Sequence, residues 1–181
     1  AIRPNHPILC EDEIFSYGDV VALVVADTKH HARAAASKVR VEIEPLPEYL
    51  NYLDAVMPDA MRVHEDTPNI FALQPVLKGE ENVMEIIEES AYSVEGSFHS
   101  TRQPHLSIEG DTVQAYWDED GMMAIHCKTQ NVYGAVSNVA AAIGLETKQV
   151  RIIENHTGGS FGWATHPGSY AMTAVAAMAT G

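Results

Sequence analysis

The residues with the most chemical promise lie in "HTGGSFG", 156–162. The adjacent glycines Gly158 and Gly159 let a backbone approach a ligand closely and turn its N–H groups toward an anion. A glycine-rich turn between a strand and a helix is also the plan of a phosphate cradle. The spacing argues against that, because no lysine completes GxxxxGK[ST] and the intervals of GxGxxG are not met. On its own residues the loop reads as a structural turn. Phe161 within it is either a plug in the core or one wall of a site, the plug being the simpler role. Gln130 follows the strand-like "IHCKT" and opens a helix. Its amide can donate to an oxygen ligand, cap the helix or face water. In "RQPHLSIE", His105 and Glu109 share a face at strand spacing. Two ligands without a third make a poor zinc site, and a buried His–Glu hydrogen bond is the simpler role. His30 and His31 stand at a helix start as exposed groups, and His64, His99, His126 and His156 form no pattern. There is no Gly-x-Ser-x-Gly elbow and no Ser/His/Asp constellation.

The elements that must position these residues show in the hydrophobic period. The valine-rich "DVVALVVAD", 19–27, has strand length. Asp27 or Thr28 can cap the alanine-rich helix that follows, and "VRVEIEPL" then alternates apolar and charged residues up to Pro45 and Pro47. This predicts a β-α-β unit. Residues 45–68 read as a connector with one short helix, 69–79 as containing a strand, and "NVMEIIEES" as a short helix. From residue 92 the texture changes to short strands: "YSVEGSFHS", "HLSIEG", "DTVQAYWDED" and "MMAIHCKT". "DEDG", 118–121, reads as a hairpin turn. A helix over 131–144 ends at Gly144, a strand follows in "TKQVRIIEN", and a last helix spans about 169–180.

Composition bounds the function. The 181 residues, 46% of them hydrophobic, suffice for one or two small domains with a core. The formal net charge of -14 removes the basic footprint a nucleic-acid binder needs, and anionic lipid would be repelled as well. No apolar run reaches membrane-spanning length. Cys10 and Cys127, with no CxxC, read as free thiols of a cytoplasmic protein. They cannot furnish a four-thiolate cluster. The chain opens at Ala1 without a basic-then-apolar leader and stops at "ATG" while still apolar, which reads as a truncation.

Three stretches in series resemble a known family, the molybdenum hydroxylases that include xanthine oxidase and aldehyde oxidoreductase. "EDEIFSYGDVVALVVADTKHHARAAASKVRVEIEPLP" is similar to the later part of their α/β hammerhead domain. "EGSFHSTRQPHLSIE" resembles the start of their first molybdopterin-binding domain. "KTQNVYGAVSNVAAAIGLETKQVRIIENHTGGSFG" is similar to their pattern of T-Q, then V-R-V, then GG-x-FG. The likeness is strongest to bacterial aldehyde oxidoreductases of the sulfate-reducer type.

The resemblance implies a mixed α+β and α/β fold: a partial hammerhead unit in a domain over 1–62, then a mixed-sheet segment of the cofactor domain over 63–181. It implies a role in hydroxylating aldehydes to carboxylic acids with oxygen from water. It places Gln130 near an oxygen ligand of molybdenum, and Gly158, Gly159, Ser160, Phe161 and Gly162 against the metal and its pterin, with no direct metal ligand. The implied cofactor is molybdenum-molybdopterin, in the cytosine dinucleotide form. The family's iron–sulfur clusters and its catalytic glutamate belong to segments outside this sequence, so no catalytic residue is expected here. The implied partners are an aldehyde substrate and the remaining domains or subunits. The chain alone is expected to be inactive and to self-associate through exposed apolar edges. Two departures stand out: Ala164 where many members have lysine, and Gly110 where similar sequences have proline. The alternative is a stand-alone non-catalytic binding or assembly module from a split or shortened gene.

Overall fold

The computed structural model describes residues 7–70, 78–79 and 82–181. In chain order the elements are α1 (Lys29–Ala36), α2 (Tyr52–Ala55), α3 (Val83–Glu88), β1 (Gln114–Trp117), β2 (Met123–Cys127), α4 (Val132–Ile143), β3 (Val150–Glu154) and α5 (Gly168–Thr180). Short 3₁₀ turns at Thr147–Gln149 and Trp163–Thr165 precede β3 and α5. The chain divides into two compact units. One joins the residues up to Glu44 with Pro104–Gly181, and the other is Pro45–Gln103. No helix among the described residues is long and apolar enough to cross a membrane.

The larger unit is built on a three-stranded sheet of order β1-β2-β3. β1 and β2 pair antiparallel, with Trp117 opposite Met123. β2 and β3 run parallel, with Ile125 opposite Ile152. The turn at 118–121 is the expected one. Asp118 Oδ1 accepts from the Asp120 and Met122 amides at 3.0 and 2.8 Å, and Gly121 takes φ 74°, which suits glycine. As the central strand, β2 is covered on both sides: Met123, Ala124, Ile125 and Cys127 are all buried. That is why its first part, Met123–Ile125, reads as an apolar run and not as an alternation.

Between the parallel strands runs α4. Its N-cap is Asn131, whose side chain accepts from the Gly134 amide at 3.0 Å. A Cβ at residue 134 would lie 2.2 Å from Asn131 Nδ2, so glycine there lets the cap close. Gly144 ends the helix at φ 73°, as expected. Ala135, Val139 and Ala140 of α4 and Tyr170 and Ala174 of α5 complete one core with Met123, Ile125, Cys127 and Val150.

The fold class is therefore mixed α/β, but the N-terminal unit departs from its sequence pattern. α1 forms where expected, capped by Thr28, which accepts from the His31 amide at 3.1 Å. The segments 19–27 and 39–46 form no strands, and no residue from 7 to 44 is buried. A strand exists only through a partner's ladder, and none is offered among the described residues. The same reason applies to 92–100 and 105–110, which also carry no strand. In the smaller unit, α2 is the connector's short helix and α3 matches "NVMEIIEES". The strand expected within 69–79 falls mostly on 71–77, outside the described residues.

Candidate cofactor-binding site

Parallel strands collect ligand-binding loops at their carboxyl ends. The carboxyl end of β2 leads into Lys128–Gln130, and that of β3 into Asn155–Gly162. Backbone bonds tie the two together. The Asn155 amide donates to the Cys127 carbonyl at 2.8 Å, and the Gln130 amide donates to the Ala164 carbonyl at 3.2 Å. Gln130 and the 158–162 loop are thus brought to one end of the sheet. The Gln130 side chain is exposed and does not cap α4, a role that Asn131 takes.

Each loop residue has its own local reason. Gly158 donates to Glu109 Oε2 at 2.6 Å, and a Cβ there would sit 3.3–3.4 Å from the Glu109 side chain. Gly159 holds φ 151° and Gly162 φ 95°, backbone that side-chain-bearing residues rarely adopt. Ser160 is buried, and its hydroxyl accepts from the Gly162 and Ala164 amides at 3.1 and 3.0 Å. Phe161 sits at φ 52° and is 76% exposed. It is therefore no core plug: two consecutive left-handed residues lift its ring out of the chain's packing.

The expected His105–Glu109 pair does not form. Leu106 at φ 45° breaks the strand spacing between them. His105 instead packs on Trp163 with ring centroids 5.6 Å apart, and Trp163 stacks on His166 at 5.7 Å. Glu109 turns to the loop and to Lys128. The Lys128 ammonium donates to the Glu109 carbonyl at 3.0 Å and lies 3.7 Å from its carboxylate. Lys128 is only 3% exposed, and its own carbonyl accepts the buried Tyr170 hydroxyl. Sequence reasoning passed over Lys128 and Tyr170. The available signal was a lysine closing a largely apolar strand run.

Electrostatically, burial pushes the Cys127 thiol up to about 11, with Asp111 and Glu154 adding to it. A thiol held protonated is a poor nucleophile. Burial likewise pushes the Tyr170 phenol up to about 12, with help from Cys127 and Asp111. Among the described residues no group of three or more His, Cys, Asp or Glu gathers to hold a metal ion. The loop offers donors instead: the Gly159 and Phe161 amides have no acceptor among the described residues. The buried hydroxyls of Thr157 and Ser169, at the loop's start and beyond its end, also lack a partner. Buried polar atoms are seldom left so, and this set suits an oxygen-rich, anionic ligand.

Residues 63–181 match the molybdopterin cofactor-binding domain, and residues 1–47 match the aldehyde oxidase and xanthine dehydrogenase a/b hammerhead domain. The chain is 44% identical to the aldehyde oxidoreductase of Megalodesulfovibrio gigas over 98% of its length, but spans only 19% of that protein. It is 28% identical to the xanthine dehydrogenase/oxidase of Gallus gallus, covering 99% of this chain and 13% of the other. The solved aldehyde oxidoreductase of Desulfovibrio desulfuricans superposes with a TM-score of 0.86 at 41% identity, over 98% of this chain and 20% of that one. The two family matches in series, together covering most of the chain, show that it belongs to the molybdenum hydroxylase family of aldehyde oxidases and xanthine dehydrogenases.

Proposed function

We propose that this chain is a segment of a molybdenum-dependent aldehyde oxidoreductase, and that it supplies contacts to the molybdenum–pterin cofactor and not the general base. The observation that carries the reading is the juxtaposition of Gln130 with Gly158, Gly159, Ser160, Phe161 and Gly162 at one sheet end, tied by the Gln130–Ala164 backbone bond. The residues fit the group. The Gly159 and Phe161 amides and the orphaned Thr157 and Ser169 hydroxyls are donors for oxygen ligands, and preorganised donors stabilise negative charge. The Gln130 amide is exposed and free to reach a ligand oxygen, and the Phe161 ring forms an apolar wall beside it. When bound, the cofactor supplies the two-electron redox chemistry by which an aldehyde gains oxygen from water, while the protein binds and orients.

The assignment extends to the division of the chain: 1–62 as hammerhead with its connector, 63–181 as cofactor-binding domain. The cytosine dinucleotide form of the cofactor, iron–sulfur clusters in other domains and a cytoplasmic setting complete the proposed enzyme. Its remaining domains or subunits are the partners. Val21, Leu23 and Val25, and again Val39, Val41 and Ile43, expose an apolar residue at every second position. That period suits strands awaiting a neighbour, and it gives the chain alone a reason to self-associate. The test is to substitute Gln130→Ala and Phe161→Ala in the whole enzyme. Turnover of aldehyde should fall in both, with unchanged fold and iron content. Unchanged turnover in both removes these residues from the site.

A further inference from the structure

We infer that Glu109 is a positioning residue for the glycine loop: its carboxylate, backed by the buried Lys128, holds the Gly158 amide and so sets the backbone that meets the cofactor. The inference rests on the cofactor reading given above. The Glu109–Gly158 bond crosses 49 positions of sequence at 2.6 Å, the short distance expected when a charged acceptor takes an N–H. It fixes the loop at its first glycine. Further on, the loop is fixed by the Ser160 hydroxyl and by the Gln130–Ala164 bond. Remove the first anchor and the chain can pivot about Gly158 and Gly159, the residue type with the most conformational freedom.

Glu109 is itself held. Lys128 grips its carbonyl at 3.0 Å and faces its carboxylate at 3.7 Å, and the Ser107 hydroxyl donates to the same carbonyl at 3.2 Å. Because Lys128 is 3% exposed, the carboxylate cannot swing away without leaving a buried ammonium unpaired. The arrangement also answers why a carboxylate stands beside a site for an anion. Its charge is taken up by Lys128 and by Gly158, while the next donors, the Gly159 and Phe161 amides, are left for the ligand. Gly158 is glycine for the same reason, since a Cβ would press on Glu109 Oε2 at 3.3 Å.

The test compares Glu109→Ala with Glu109→Gln in the full-length enzyme. One measurement is amide hydrogen exchange over 156–163 in the cofactor-free protein, with the β2 amides as internal control. The other is molybdenum and pterin bound per chain. Glu109→Ala should speed exchange in the loop by about tenfold, the loss of one charge-assisted bond, and lower bound cofactor by a similar factor. Glu109→Gln keeps an oxygen for the Gly158 amide and should retain at least about half of the cofactor. β2 exchange should not change. Wild-type loop exchange in Glu109→Ala overturns the inference, as does equal cofactor loss in the two variants. So does faster exchange with undiminished cofactor, which would make the bond merely structural. If the wild-type enzyme itself binds no molybdopterin, the cofactor reading falls, and the exchange arm still reports whether Glu109 holds the loop.

Discussion

Tyr170→Phe isolates one bond at the foot of the site and carries a signed pH dependence. Tyr170 is 1% exposed, and its hydroxyl donates to the Lys128 carbonyl. The substitution leaves the ring's packing intact and strands a buried acceptor, a loss of about 1–3 kcal/mol. The difference then changes with pH. The phenol is pushed up from 10.0 to about 12, chiefly by burial. A group with a raised folded pKa contributes stability that is whole below its unfolded pKa and is lost as pH rises toward the folded value. Wild type should thus lose about 1 kcal/mol through Tyr170 by pH 10.5, and roughly 2 kcal/mol by pH 12. Cys127, pushed up to about 11, titrates in both proteins and largely cancels in the difference. Urea unfolding of wild type and variant at pH 8.0, 9.5 and 10.5, chosen as about two units below to half a unit above the unfolded phenol pKa, reads the gap directly. The expected result is a gap of about 2 kcal/mol at the lowest pH that narrows measurably at the highest. A gap that stays constant with pH, or one under about 0.5 kcal/mol at pH 8, would refute the account of Tyr170 as a buried, protonated donor.

Two further substitutions separate site from scaffold. Phe161→Gly removes a side chain from φ 52° where little packing is lost. Relief of left-handed strain, about 1–2 kcal/mol, should outweigh the added unfolded-state entropy, so unfolding shifts to higher urea while aldehyde turnover falls. In the smaller unit, Asn69 donates to the Ala55 and Met61 carbonyls at 2.8 Å each and accepts from the Val63 amide at 2.9 Å. Asn69→Ala should open the 55–63 segment by about 1–2 kcal/mol, seen as faster limited proteolysis there, with the β2 amides unaffected.

The parts of the fold legible in the sequence are those fixed by neighbours in sequence. The 118–121 turn needs only Asp118, Gly121 and their own backbone. The end of α4 needs only Gly144. β2 was legible because a central strand is apolar on both faces. The strand textures at 19–27, 39–46 and 92–100 were legible as period but not as structure, since pairing is a property of two segments and their partners are not among the described residues. At the site, the glycine pair was visible and its reasons were not. One glycine answers a carboxylate 49 residues away and the next answers its own φ. On its own residues Phe161 reads more simply as a core plug, because an aromatic is usually buried, and only the left-handed backbone at 161 and 162 reverses that.

Those two observations together explain why the Phe161 ring stands outside the core. An apolar ring near a sheet end would ordinarily fold inward, since burying it is worth about 2–3 kcal/mol. Here the inward place is taken. Ala164 and Ser160 are both buried, with the Ser160 hydroxyl spent on two amides of the loop and the Ala164 carbonyl on Gln130. Filling the interior with small residues whose polar atoms are committed leaves Phe161 only the outward direction. The same device accounts for the departure at residue 164. A lysine in place of Ala164, which is 1% exposed, would start a long charged side chain from a buried position. In this chain the position bonds through its backbone, its amide to Ser160 and its carbonyl to Gln130, while the Gly159 and Phe161 amides have no acceptor among the described residues.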